Sequence, residues 1–122
     1  MPPRYGVTTF PTALPMPIVA LARALEERGF DSLWLPEHTH IPTSRRTPWP
    51  AVPGMDLPEK YWRALDPLVA LAAAATATHT LRLGTGILLV AQRDPIVTAK
   101  AVATLDLLSN GRAALGIGFG WN

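Results

Sequence analysis

No two extended runs in this sequence are neighbours; a helix-patterned segment stands between each run and the next. "RYGVTTF" (4–10) reads as a first strand, ended by Pro11. A helix is predicted over Met16–Arg28, where Ile18, Leu21, Ala22 and Leu25 recur at i, i+3, i+4 and i+7 and so share one face. Gly29 follows, where a helix C-terminus favours a left-handed residue. "FDSLWLP" (30–36) is the second strand and "LRLGTGILLV" (81–90) the third. The helices before and after that third strand both open on Asp-Pro, at Asp66-Pro67 and Asp94-Pro95. Aspartate can cap the first free N–H groups, and proline occupies a position whose N–H would lack a partner anyway. In the earlier of the two, Leu68, Leu71, Ala72 and Ala75 form the buried face; the later one ends at Asn110-Gly111. "RAALGIGFG" (112–120) is the fourth strand.

The order β-α-β-α-β-α-β calls for parallel strands, because every connection is a crossover long enough to carry a helix, and the helices then pack outside the sheet. Two α/β architectures satisfy it: an open doubly wound sheet and a (β/α)8 TIM barrel. The open sheet's nucleotide fingerprint is missing, since no G-x-G-x-x-G follows the first strand. "GIGFGW" spaces its glycines (116, 118, 120) at every second position, and no helix follows it. The barrel is preferred. A whole one takes about 250 residues, so 122 residues supply about the first four β/α units. Residues 1–122 therefore read as the N-terminal half of a single barrel domain, whose fourth strand would otherwise present an unpaired edge.

Composition removes several function classes. An apolar content of 48% excludes a disordered tail, and a net charge of +2 leaves no dense basic stripe for nucleic acid. The one basic cluster, Arg45-Arg46, sits among prolines. The absence of cysteine excludes disulfides and thiolate metal sites. The apolar stretch Leu68–Ala77 is too short to cross a bilayer, and the N-terminus has no signal-peptide pattern. A soluble, cytoplasmic protein without membrane or nucleic-acid partners is expected.

Residues 36–67 hold seven of the thirteen prolines. Such a stretch is a stiff, irregular loop, and long loops inside compact domains are usually functional or disordered. Trp49, Tyr61 and Trp62 within it argue for packing against something. At its start "WLPEHTHIP" (34–42) sets a carboxylate and two imidazoles at the C-terminal end of the second strand, where barrel enzymes keep their active sites. Three readings compete. Glu37, His38 and His40 could form a solvated polar loop. His38 and His40, at alternating positions of an extended segment, could be a metal pair; further ligands would be needed, and His79 lies toward the opposite rim. The third reading is acid–base chemistry, for which an imidazole that titrates near neutral pH is suited.

"GFDSLWLPEHTHIP", "LRLGTGILLV", "RDPIVTAKAVATLDLLSNGR" and "LGIGFGWN", in this order and over almost the whole chain, resemble the luciferase-like monooxygenase superfamily. The likeness is strongest to its deazaflavin (coenzyme F420)-dependent oxidoreductase branch. The resemblance implies a barrel that binds coenzyme F420, or alternatively FMN, at its C-terminal face. It implies hydride transfer or oxygen insertion on a small organic substrate, and a homodimer. Glu37-His38 matches the family's acidic residue followed by histidine, which places His38 near the reactive face of the ring; many relatives carry Asp in place of Glu37. A non-proline cis peptide at a bulge behind the ring is implied at Gly86-Ile87, although Gly84 and Gly86 would equally suit tight strand–helix packing. Gln92 and Arg93 are expected at the same rim, Phe10 as a floor of the pocket, and Asn122 within reach of it. Trp121 stands in the neighbourhood where some deazaflavin sugar-phosphate dehydrogenases carry a catalytic Glu, which argues against that chemistry. His40 has no family counterpart and is expected to be structural, and no metal is expected. Barrels commonly grip a cofactor phosphate with loops after strands seven and eight, so the 122-residue chain alone is expected to bind cofactor weakly and to turn nothing over. The competing readings are an inactive fragment or half-barrel homodimer acting as a binding module, and a metal-dependent hydrolase.

Overall fold

A computed structural model describes residues 1–13 and 16–120. Four parallel strands, β1 (Gly6–Thr8), β2 (Ser32–Pro36), β3 (Arg82–Leu89) and β4 (Ala113–Gly118), lie side by side in chain order. The crossovers carry α1 (Ile18–Glu27), α2 (Pro67–Ala75) and α3 (Pro95–Leu108). The alternation expected from the sequence is present, with shorter elements. β1 keeps only the residues that pair with β2, from Gly6 opposite Ser32 to Thr8 opposite Trp34. α1 starts at Ile18 instead of Met16, because a residue preceding proline is steered away from helix and Pro17 itself is extended (ψ 141°).

Local chemistry sets the helix ends. The Asp66 carboxylate accepts from the N–H groups of Leu68 and Val69 at 2.9 and 3.1 Å, and Asp94 accepts from Val97 N–H at 2.8 Å. α3 ends at Leu108; Asn110 and Gly111 follow in left-handed conformations (φ 54° and 76°), and Gly111 N–H returns to the Asp106 carbonyl.

The core lies between the sheet and its helices. Leu33 and Leu35 of β2 and Leu83 and Leu88 of β3 are fully buried against Ala22 and Leu25 of α1, Leu68, Leu71 and Ala74 of α2, and Leu105 of α3. The alternate residues of β2 face the other way. There the Trp34 indole lies across its neighbours: a Cβ on Gly84 would strike the ring, and one on Gly6 would come within 3.2 Å of Nε1, which donates to Ser32 Oγ at 2.8 Å. Gly84 thus makes room for an aromatic ring on the open face, not for a helix. On the β4 side, Ile96, Val97, Leu107, Leu115 and Ile117 are exposed, and a groove of about 620 Å³ runs between α3 and β4. An apolar face of this kind is where a further structural layer packs.

At the N-terminal ends of the strands two charged side chains bind backbone. Glu26, near the end of α1, accepts from the N–H groups of His79, Thr80 and Leu81 at 2.8, 2.6 and 2.8 Å and from the Thr80 hydroxyl at 3.0 Å. Burial opposes its ionisation, but these bonds outweigh it and bring the pKa down from 4.5 to about 2. Arg112 donates to the carbonyls of Ser109, Leu81, Ala75 and Thr78 and to the Thr78 hydroxyl, joining the end of α2 to the approaches of β3 and β4.

Glu26 makes stability depend on acid. Its folded pKa lies below its unfolded one, so its contribution is complete above about 4.5 and is lost as the pH falls toward 2. In urea unfolding followed by circular dichroism, Glu26→Gln is expected to be less stable than wild type at pH 7 and to converge with it through that window. Two curves that stay parallel across the window would show that the carboxylate does not carry this loop.

Candidate active site

At the opposite ends of the strands the sheet loses its regular register. Leu35 pairs with Thr85 but Pro36 pairs with Ile87, and on the far side Thr85 pairs with Leu115 while Leu88 pairs with Ile117. The irregularity falls at Gly86-Ile87. A bulge re-aims side chains, and here the Ile87 side chain turns to the open face, 48% exposed, while its carbonyl accepts from Glu37 N–H at 3.0 Å. Gly116 on β4 accommodates the bulge, because a Cβ there would press on the carbonyl oxygens of Thr85 and Gly86. The Thr85 hydroxyl fills the disrupted ladder by bonding the Gly116 carbonyl at 2.9 Å. A Cβ on Gly86 itself would meet nothing closer than 3.8 Å, so what matters at that residue is its place in the bulge.

Glu37 follows β2 and is buried, 3% exposed. One carboxylate oxygen accepts from Leu89 N–H at 2.6 Å and the other from Arg93 Nε at 2.8 Å. Arg93 also reaches the Asp66 carboxylate at 2.8 Å, which in turn caps α2. The hydrogen bond to Glu37, more than the pairing with Asp66, holds the guanidinium pKa above its ordinary value despite partial burial. Arg93, expected at the rim beside Gln92, is turned inward by this pairing. Glu37 has both oxygens engaged, and the arrangement joins the ends of β2 and β3 to the start of α2.

His38 points into a different environment. Its ring is half-buried and lies 5.8 Å from Phe10 at 7°, stacked, and 4.8 Å from Tyr61 at 56°. Burial pushes its pKa below the usual 6.5, and the neighbouring Glu37 charge offsets this only in part. The imidazole is therefore neutral at neutral pH, with a nitrogen lone pair available. It lines a cavity of about 470 Å³ whose wall also includes Phe10, Tyr61, Ile87, Leu89, Gln92, Gly118 and Phe119.

The sequence-selected Phe10, Glu37, His38, Ile87 and Gln92 all meet at this cavity. Gly86 sits beside it without forming its wall, and Asn122 lies outside the described residues. Tyr61, Phe119 and His40 are wall residues that sequence reasoning did not select; the only signal for Tyr61 was the aromatic content of the proline-rich loop. The Thr39 hydroxyl donates to Gln92 Oε1 at 2.6 Å and lies 3.0 Å from His40 Nδ1, tying the loop to the segment after β3. No group of three or more His, Asp or Glu side chains among the described residues could hold a metal ion, and the backbone of His79 bonds Glu26 at the other rim.

The luciferase-like monooxygenase family matches over residues 6–122. The chain is 44% identical, over 97% of its length, to an uncharacterized protein of Mycobacterium tuberculosis, of which it spans 42%. It is 40% identical, over 78% of its length, to the F420-dependent glucose-6-phosphate dehydrogenase of Kineococcus radiotolerans, of which it spans 24%. Among solved structures, the coenzyme F420 dependent tetrahydromethanopterin reductase from Methanopyrus kandleri superposes with a TM-score of 0.71 at 28% identity, covering 96% of this chain and 27% of that one. The chain thus spans less than half the length of these relatives, and its parallel α/β fold matches luciferase-like TIM barrels over part of each.

The buried carboxylate makes a specific demand on Arg93. Arg93→Met strands Glu37 without its cation and should cost about 3 kcal/mol in urea unfolding. Adding Glu37→Gln removes the stranded charge, so the double variant should recover part of that loss. Losses that simply add would mean that the two groups are not coupled.

Proposed function

Because the chain belongs to the luciferase-like monooxygenase family, we propose that it forms the His38-bearing part of an oxidoreductase that uses coenzyme F420, with FMN as the alternative, for hydride transfer or oxygen insertion on a small organic substrate. The observation that carries this reading is the neutral, half-buried His38 imidazole in the wall of a cavity at the C-terminal ends of parallel strands. The F420-dependent relatives favour the deazaflavin over FMN.

The residues present suit a flat conjugated ring with a polar edge. Ile87 and Phe119 offer apolar surface, and Gly118 lets the Ile87 side chain lie close against β4, since a Cβ there would stand 2.7 Å from the Ile87 methyl. Gln92 supplies an amide for a polar edge. When bound, the deazaflavin supplies a carbon that carries hydride, and the protein positions and shields it. His38 would accept at a ring nitrogen the proton that a substrate hydroxyl releases on oxidation, or return it in the reverse direction. The apolar wall limits water around the reacting groups. Glu37 and Arg93 keep the strand ends beneath His38 in place.

The same reading treats the whole protein as a cytoplasmic homodimer without nucleic-acid or membrane partners. No helix among the described residues is long and apolar enough to cross a membrane. Binding of the cofactor phosphate is assigned to barrel loops beyond these four strands, as in many barrels. The isolated 122-residue chain is accordingly expected to show no micromolar quenching of F420 or FMN fluorescence.

The test uses the protein at the length its own cell makes. His38→Ala should lower single-turnover hydride transfer by about 100- to 10,000-fold while leaving the Kd for the cofactor nearly unchanged. Wild-type activity should persist somewhat below pH 6.5 and fall as His38 becomes protonated. An unaltered rate in the variant would remove His38 from the chemistry, and failure to bind either cofactor would sink the redox reading.

A further inference from the structure

We propose that Tyr61 is a positioning residue of this site: the proline-rich loop carries it in to hold the His38 ring against Phe10 and leave that ring open only toward the cavity. The three rings form a closed set. Phe10 and Tyr61 are 4.7 Å apart, His38 and Tyr61 4.8 Å, and His38 stacks on Phe10 at 7°. Phe10 follows β1 and His38 follows β2, so Tyr61 is the member supplied from outside the sheet.

The loop is built to deliver that ring. Residues 59–61 form a 3-10 turn behind an extended Pro58, with Tyr61 N–H bonded to the Pro58 carbonyl at 3.1 Å. Leu57, just before it, is buried, and Leu65 N–H, just after it, bonds the Pro11 carbonyl at 2.7 Å, one residue from Phe10. Trp49, from further back in the loop, donates from Nε1 to the Tyr61 hydroxyl at 3.1 Å and meets its ring edge-on at 5.9 Å. Trp62, next in sequence, is half exposed, so the loop places this aromatic residue and not its neighbour against the site.

Removing the ring should change the setting of His38. The charged and titratable groups around the cluster are Glu37 on the same strand end, Lys60 with Nζ 4.8 Å from the Phe10 centroid, and His40 in the wall of the same cavity. Loss of Tyr61 admits water to one side of the imidazole, which relieves the burial that opposes protonation, while the charge of Glu37 that favours it stays in place.

The inference rests on the functional reading for the importance of His38, but its test needs no cofactor. Histidine side-chain NMR on the 122-residue chain, with the three histidines assigned by single His→Gln substitutions, reads both ring contacts and titration. Wild type should show contacts between Phe10 and His38 and a His38 midpoint below the ordinary value of about 6.5. Tyr61→Phe should preserve both. Tyr61→Leu, which keeps bulk without a ring, and Tyr61→Ala should lose the Phe10–His38 contacts and raise the midpoint toward or past the ordinary value. Trp49→Phe, which cuts back the indole that meets Tyr61 edge-on as well as its bond to the hydroxyl, should produce a smaller change in the same direction and covers the case in which a Tyr61 variant fails to fold. Contacts and midpoint unchanged in a folded Tyr61→Leu or Tyr61→Ala variant, or in Trp49→Phe where neither folds, would overturn the proposal. A dead His38→Ala protein with an unmoved midpoint in these variants would leave the function intact and remove Tyr61 from it.

Discussion

A carboxylate taken out of water must find a cation and donors, and Glu37 finds them at two places in the chain, Leu89 and Arg93. Leu89 N–H fixes it to the end of β3, Arg93 links it to the segment leading into α3, and through Arg93 it reaches Asp66 at the start of α2. Burying that charge is costly, and the cost is offset only while all partners stay in place. The requirement makes the strand ends an all-or-none assembly. His38, one residue further on, takes its position from that assembly, as does the bulge that turns Ile87 toward the cavity.

The fold was readable from the sequence because its determinants are local. Asp66-Pro67 and Asp94-Pro95 announce helix starts through chemistry confined to one turn, and the leucines of β2 and α2 announce which face is buried. What escaped depends on partners that only register brings together. Strand–helix packing was one open reading of Gly84 until the pairing of β2 with β3 set it opposite Trp34. Glu37 and His38 stood out as a polar pair, yet the residue that holds Glu37 lies 56 positions away. Tyr61 had no periodicity to mark it, since a proline-rich loop has no repeating face from which a contact can be inferred. The cavity gathered five of the seven chosen residues because the ends of parallel strands converge whatever their spacing in sequence.

The two rims divide the labour. At one, Glu26 and Arg112 use their charge on backbone groups, closing turns between helices and strands. At the other, charge is drawn inward beneath the surface by Glu37 and Arg93, and rings and short side chains are left facing outward. A barrel gains from this separation, because changes at the rim that carries the cavity need not disturb the groups that secure the opposite one.

Strand order and chain order coincide in this sheet. Every strand after the first therefore meets a neighbour that synthesis has already completed. Growth of the sheet can follow the ribosome. The Glu37 assembly waits longer than its own strand does: its carboxylate emerges 56 residues before Arg93, so the rim that carries His38 sets only once β3 and the segment after it are complete.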